Sequence, residues 1–191
     1  MIDVYSVADD GSLSGPTSVP SVGAVPFGMA FDRNGARPVF VVADAAGGRN
    51  GTGAAIAYRL TDGQLGLIDG PEADHQIAPC WMVVTRDGRF AYSSDADSQA
   101  ISCYRIDADG TLSLLDANGA TATTPADAFP LEEGLSRDSR FLDVLDSRLL
   151  LPVPGPATLS GFRIGNNGHQ APVVDPAQFS LPFSAIGLAA D

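Results

Sequence analysis

The side chains of this chain best suited to chemistry are Glu132, His75, Arg49 and Arg148. A carboxylate or an imidazole can take a proton from water, and a guanidinium can stabilise the oxyanion that forms as an ester carbonyl becomes tetrahedral. Glu132 or His75 is the candidate base, and Arg49 or Arg148 the candidate electrostatic partner. Each also has a plainer role. Glu132 and its neighbour Glu133 suit the solvated start of a strand, His75 a surface loop, and the two arginines solvated loop positions.

Other chemistries find little support. All 11 basic residues are arginine, so Schiff-base and lysine general-base catalysis are unavailable. Cys80 and Cys103 are too few for a disulfide framework or a zinc site, and His75 and His169 lie far apart, so both cysteines are expected to be buried free thiols. Gly51-Thr52-Gly53 lacks the third glycine of a dinucleotide fingerprint, and no G-x-S-x-G nucleophile elbow occurs. Asp95 and Asp97 fall well short of the six to eight oxygens that calcium takes. No cofactor and no metal are expected.

The formal net charge of −12, from 23 acidic against 11 basic residues, opposes binding to nucleic acid or to an anionic membrane, since both require a basic patch. No apolar run approaches the roughly 20 residues that span a bilayer, and no signal segment is visible. A cytoplasmic location is the corresponding expectation. The 21 glycines and 14 prolines indicate many turns rather than long helices.

The elements that must position any site are given by a repeat. Four similar segments begin at Pro26, Pro79, Pro130 and Pro182, separated by 53, 51 and 52 residues. A second series, Tyr5, Tyr58, Tyr104 and Phe162, ends short alternating runs, and a third consists of the turns Asp10-Gly11, Asp62-Gly63, Asp109-Gly110 and Asn167-Gly168. The second complete unit predicts strand A over Trp81 to Thr85, B over Phe90 to Ser94, C over Ile101 to Ile106 and D over Thr111 to Leu115. Four short antiparallel strands per period of about 50 residues are the mark of an all-β propeller, a ring of radially arranged four-stranded blades.

The ring is incomplete. The chain holds about four blades, in units of about 1–22 with 182–191, 23–75, 76–126 and 127–181, as one partial propeller domain of residues 1–191. The first unit lacks a strand B, and the chain closes on a lone strand A near Ile186. An unclosed arc exposes strand edges and inter-blade apolar surface, so self-association through exposed blade edges is expected. In a propeller the D–A and B–C connections share one face. That face receives Asp44, Arg49, Glu72, Asp74, His75, Asp95, Asp97, Glu132, Glu133, Asp146 and Arg148, an acidic balance, while Arg33, Arg86, Arg89, Arg137 and Arg140 fall on the opposite face.

Met29 to Asp32, Pro79 to Tyr92, Ile101 to Ile106 with Asp109 to Leu112, and Leu135 to Leu142 resemble the blade motifs of the lactonase-type seven-bladed propellers. That family includes the propeller 6-phosphogluconolactonases and the fungal carboxymuconate cyclases. The resemblance implies about four of seven blades, the C-terminal portion of such a ring, and hydrolysis or isomerisation of a small sugar or aromatic-acid lactone. It implies His, Arg and Glu residues around the central channel, whereas the strand A starts here carry Phe27, Cys80, Leu131 and Phe183. An acidic mouth favours a neutral lactone or a cation over a phosphorylated one. The alternative is a non-catalytic propeller fragment that serves as a binding scaffold.

Overall fold

Strand identity follows the repeat closely. The computed structural model describes residues 1–32, 38–48, 50–148, 155–174 and 181–190. Among these there is no α-helix, and the strands form four antiparallel sheets. β1 (Ile2–Val7) pairs with β2 (Leu13–Val19) alone. β3 (Pro26–Phe31), β4 (Val39–Asp44), β5 (Ala54–Thr61) and β6 (Gln64–Ala73) form the next sheet in that order. β7 (Pro79–Val84), β8 (Phe90–Asp95), β9 (Ala100–Ile106) and β10 (Leu112–Leu114) follow, with β11 (Ala120–Thr123) also on β9. β12 (Pro130–Leu135), β13 (Phe141–Asp146), β14 (Thr158–Ile164) and β15 (Gln170–Val174) make the last. The fourth strand of the third sheet is thus split in two, a break that the alternation of Thr111 to Leu115 does not announce.

The sheets stack face to face in chain order, which is why β4 and β8 are buried at every residue. A strand sandwiched between two sheets buries both faces, so period-two alternation sets direction rather than exposure. In β4 and β5, Phe40, Val42, Ile56 and Tyr58 turn one way, onto Ile2 of β1. Val39, Val41, Ala43, Ala55 and Ala57 turn the other way, onto Met82, Ala91 and Tyr104. Phe90, Tyr92, Ile101 and Cys103 then face Leu142, Val144 and Phe162 of the last sheet.

The pieces of the unit at residues 1–22 and 182–191 lie at opposite ends of this stack. β1 meets the β3–β6 sheet through Ile2, whereas residues 181–190 run against β12, where the Leu188 amide donates to Glu132 Oε2 at 2.7 Å. The strand A expected near Ile186 forms no ladder. Among the described residues its one bridge joins Leu181 to Ala157.

Candidate functional site

The first strands of the sheets, β3, β7 and β12, run side by side, so the turns that follow β7 and β12 lie at the same end of the stack as the end of β3. β3 approaches β7 closely enough that a Cβ on Gly28 would lie 2.5 Å from Trp81 Cα, and glycine is needed there for lack of room. The turns after β7 and β12 share one chemistry. Thr85 Oγ1 donates to Asp87 Oδ1 at 2.7 Å and accepts from the Phe90 amide at 3.1 Å, while Ser136 Oγ donates to Asp138 Oδ1 at 2.9 Å and accepts from the Phe141 amide at 3.0 Å. The Arg86 amide donates to Ser139 Oγ at 2.8 Å, tying one turn to the next.

A groove of about 980 Å³ opens at this end, between Met29 to Phe31, Val83 to Arg86, Leu135 to Arg137, Ser139 and Ala190. A second hollow of about 450 Å³ adjoins it and adds Arg89 and Arg140. Arg86, Arg89, Arg137 and Arg140, with Asp87 and Asp138, line these two hollows. Arg89 and Arg140 stand 3.8 and 4.0 Å from Asp87 and Asp138, both exposed pairs, so neither arginine is strongly neutralised.

The acidic residues assigned to the opposite end are mostly withdrawn from water. Asp44, Asp95 and Asp146 recur at the ends of β4, β8 and β13, and all three are buried. Asp44 accepts from the amides of Val25 at 2.6 Å and Ala24 at 3.2 Å, bracing the loop into β3. Asp95 accepts from Ser102 Oγ at 2.6 Å and Ser93 Oγ at 3.0 Å. Burial holds its carboxyl well above the ordinary range, and nearby Asp74 adds to this. Asp74 accepts from Tyr104 Oη at 2.9 Å and is raised by burial too. Burial also raises Asp146, to about 6. The acidic mouth read from the sequence is therefore largely a set of internal struts, with much less negative charge facing solvent.

Glu133 is the outlier. It occupies the repeat position of Met29 and Met82, turns toward the β7–β10 sheet, and is only 2% exposed. Neither carboxylate oxygen has a hydrogen bond of full geometry. Burial pushes its carboxyl from the ordinary 4.5 up to about 8, with the backbone of Val83 offsetting part of the effect.

The sequence-derived candidates are dispersed. Glu132 turns away from Glu133, toward the Leu188 amide. Arg148 follows the end of β13, and its Nη2 donates to Asp127 Oδ2 at 2.7 Å. This contact holds the exposed Asp127 carboxyl below its usual range. His75 is exposed in the loop before β7, in a left-handed backbone conformation at φ 63°. Arg49 and Arg33 lie outside the described residues. A six-residue strand spans about 20 Å. His75 precedes β7 and Arg86 follows it, so they sit at opposite ends of that strand. Arg148 shares the end of His75, because Pro130 pairs with Asp146 in the β12–β13 ladder. No hydrogen bond or ion pair joins Glu132, His75 and Arg148 to one another among the described residues. Nor is any group of three His, Cys, Asp or Glu side chains placed there to hold a metal. Arg86 and Arg137, which line the groove, were missed as site residues. Their signal was a spacing of 51 residues at the same offset after strand A.

These blades, stacked through sheet faces and lined by their first strands, define a β-propeller arc. The chain resembles solved structures with that fold, each matched over about half of its own length. A protein from Lactobacillus plantarum is 22% identical with a TM-score of 0.64, over 90% of this chain and 50% of that one. A putative 6-phosphogluconolactonase from Bacteroides fragilis is 17% identical at TM-score 0.65, again over 90% and 50%. A periplasmic gluconolactonase from Pseudomonas aeruginosa is 21% identical at TM-score 0.63, over 90% and 49%. No protein-family model and no curated protein matches the sequence. No helix among the described residues is long and apolar enough to cross a membrane.

Proposed function

We propose that this chain is an arc of a lactone-opening propeller, and that the lactone binds in the groove where β3, β7 and β12 end. The observation that carries the reading is the groove itself, with Arg86 and Arg137 at its mouth. Likeness in fold to a putative 6-phosphogluconolactonase and a gluconolactonase supports the reaction class. The chemistry balances without a redox partner. Water adds to the lactone carbonyl carbon, the ring C–O bond breaks, and the proton lost by the water passes through the base to the departing alkoxide. Arg137 and Arg86 take the oxyanion role first assigned to Arg49 and Arg148. Glu132 is retained as the candidate base; it stands outside the groove lining, and its carboxylate accepts from the Leu188 amide, two residues before Ala190 of the groove wall. Arg86 and Arg137 in the groove lining weaken the objection to an anionic substrate.

The test is steady-state hydrolysis of a panel of sugar and aromatic-acid lactones between pH 6 and 9. Arg137→Ala should lower kcat/KM by about 10²–10³-fold, the usual cost of losing one oxyanion donor. Glu132→Gln should lower it by about 10²–10⁴-fold, with circular dichroism unchanged. Failure of the wild-type protein to accelerate any lactone would sink the proposal. A binding-only role for the same groove is the second reading, favoured by the separation of His75 and Arg148 from it along the strands. Ligand binding without turnover would establish that role.

A further inference from the structure

The turns that follow β7 and β12 are built on one plan. Thr85-Arg86-Asp87-Gly88-Arg89-Phe90 and Ser136-Arg137-Asp138-Ser139-Arg140-Phe141 stand 51 residues apart and differ in kind only at the fourth position, glycine in one and serine in the other. In both, the amide of that fourth residue donates to the carbonyl of the first, Gly88 to Thr85 at 2.8 Å and Ser139 to Ser136 at 2.7 Å. In both, the amide of the fifth donates to the aspartate Oδ1 at 3.1 Å. The fourth residue has a left-handed backbone each time, at φ 68° for Gly88 and 53° for Ser139. Glycine adopts that conformation freely, whereas the Cβ of a serine is crowded in it.

What the serine adds is a bond between blades. Ser139 Oγ accepts from the Arg86 amide at 2.8 Å. Arg86 is the second residue of its turn, where an amide points away from the turn's own closing hydrogen bond and must find its acceptor elsewhere. A glycine at 139 would remove this acceptor. The matching position one blade earlier has no room for such a side chain, since a Cβ on Gly88 would lie 2.5 Å from Asp32 Oδ1. Ser139 also stands where the contact matters, because it lines the groove together with Arg86 and Arg137 and the adjoining hollow together with Arg86, Arg89 and Arg140.

We propose that Ser139 is a positioning residue: its hydroxyl pins the backbone of Arg86 to the neighbouring turn and so sets the spacing of Arg86 and Arg137 in the groove. This rests on the reading of the groove as the lactone site, and adds to it the residue that holds the two oxyanion donors in register. A strained backbone retained where the repeat offers glycine fits a position selected for geometry rather than for stability. Two arginines on separate blades can serve one carbonyl oxygen only if the blades do not slide, and a misplacement of about 1 Å can cost about 10²-fold in rate.

The test compares Ser139→Gly, Ser139→Asn and Asp62→Gly with the wild type. Asp62 has the same left-handed backbone, at φ 51°, in the β5–β6 turn outside the groove lining. Ser139→Gly should lower kcat for lactone opening by about 10–10²-fold with KM little changed, because an oxyanion donor acts in the transition state. Its Tm should stay within about 4 °C of wild type, since relief of the backbone offsets the lost hydrogen bond. Ser139→Asn tolerates the left-handed backbone and keeps a side-chain oxygen as acceptor, so it should restore most of kcat. Asp62→Gly should leave kcat unchanged. A wild-type kcat in Ser139→Gly, or an equal loss in Asp62→Gly, would overturn the proposal. Hydrogen exchange of the Arg86 amide reads the same contact without turnover, and should be about tenfold faster in Ser139→Gly than in wild type. Equal protection in the two would overturn the proposal even if lactones are opened. If the wild type opens no lactone, the functional reading alone fails, and titration calorimetry with a sugar lactone takes the place of kinetics: Ser139→Gly should bind it about tenfold more weakly. Unchanged affinity, or a wild type that binds no lactone, would overturn the positioning role.

Discussion

Replacing Glu133 with methionine should stabilise the protein, and the gain should depend on pH. The folded protein holds the Glu133 proton up to about 8, whereas the unfolded chain releases it near the ordinary 4.5. Between those values the folded state binds more protons than the unfolded state, so stability falls as pH rises. The contribution is intact below about 4.5 and lost above about 8. A pKa difference of one is worth about 1.36 kcal/mol, so the displacement costs about 5 kcal/mol once Glu133 is ionised and about 3 kcal/mol at pH 7. Met82 shows that methionine fits the same repeat position, 1% exposed. Glu133→Met should therefore gain about 3 kcal/mol at pH 7, raising Tm by about 6–12 °C for a chain of this size. The assay is urea unfolding followed by circular dichroism from pH 5 to 9. Asp74, Asp95 and Asp146 are raised by burial in the same direction, so the wild-type slope is a sum, and the informative quantity is the difference between variant and wild type. Glu133→Gln should flatten the slope equally yet gain less, because it leaves a buried amide without partners. A difference curve that is flat, or a Glu133→Met protein less stable than wild type, would refute the reasoning.

Two further outcomes test the packing. Gly28→Ala would press a Cβ onto the backbone of Trp81, so it should destabilise by at least about 1–3 kcal/mol in denaturant unfolding and alter Trp81 fluorescence; an unchanged midpoint would show that β3 and β7 can separate freely. Burial pushes the thiols of Cys80 and Cys103 up to about 11 and about 12, leaving at most about one thiolate in a thousand at pH 8. Both should react slowly with a disulfide reagent until the protein is unfolded, and fast labelling of the native protein at pH 8 would contradict their burial.

The strands, their order and their turns were legible in the chain because each depends on neighbours in sequence. Prolines recurring every 51 to 53 residues mark the inner strands, alternating runs mark the pleat, and Asp-Gly pairs mark the hairpins. Tertiary structure alone decided what the charged residues do. Asp44, Asp95 and Asp146 look like loop acids in the sequence, yet each is buried, because amides of the loop into its sheet or hydroxyls of its own and the neighbouring strand gather round it. Glu132 and Glu133 are adjacent and chemically alike, but opposite faces of β12 meet different neighbours: one carboxylate finds the Leu188 amide, and the other is sealed against β7 without a full hydrogen bond. The end of the stack at which a groove opens was likewise invisible, since cavity shape depends on how separate strands converge. A repeat encodes the blade through contacts within about 50 residues, whereas the sealing of Glu133 and the groove arise between blades, where the neighbours come from other repeats.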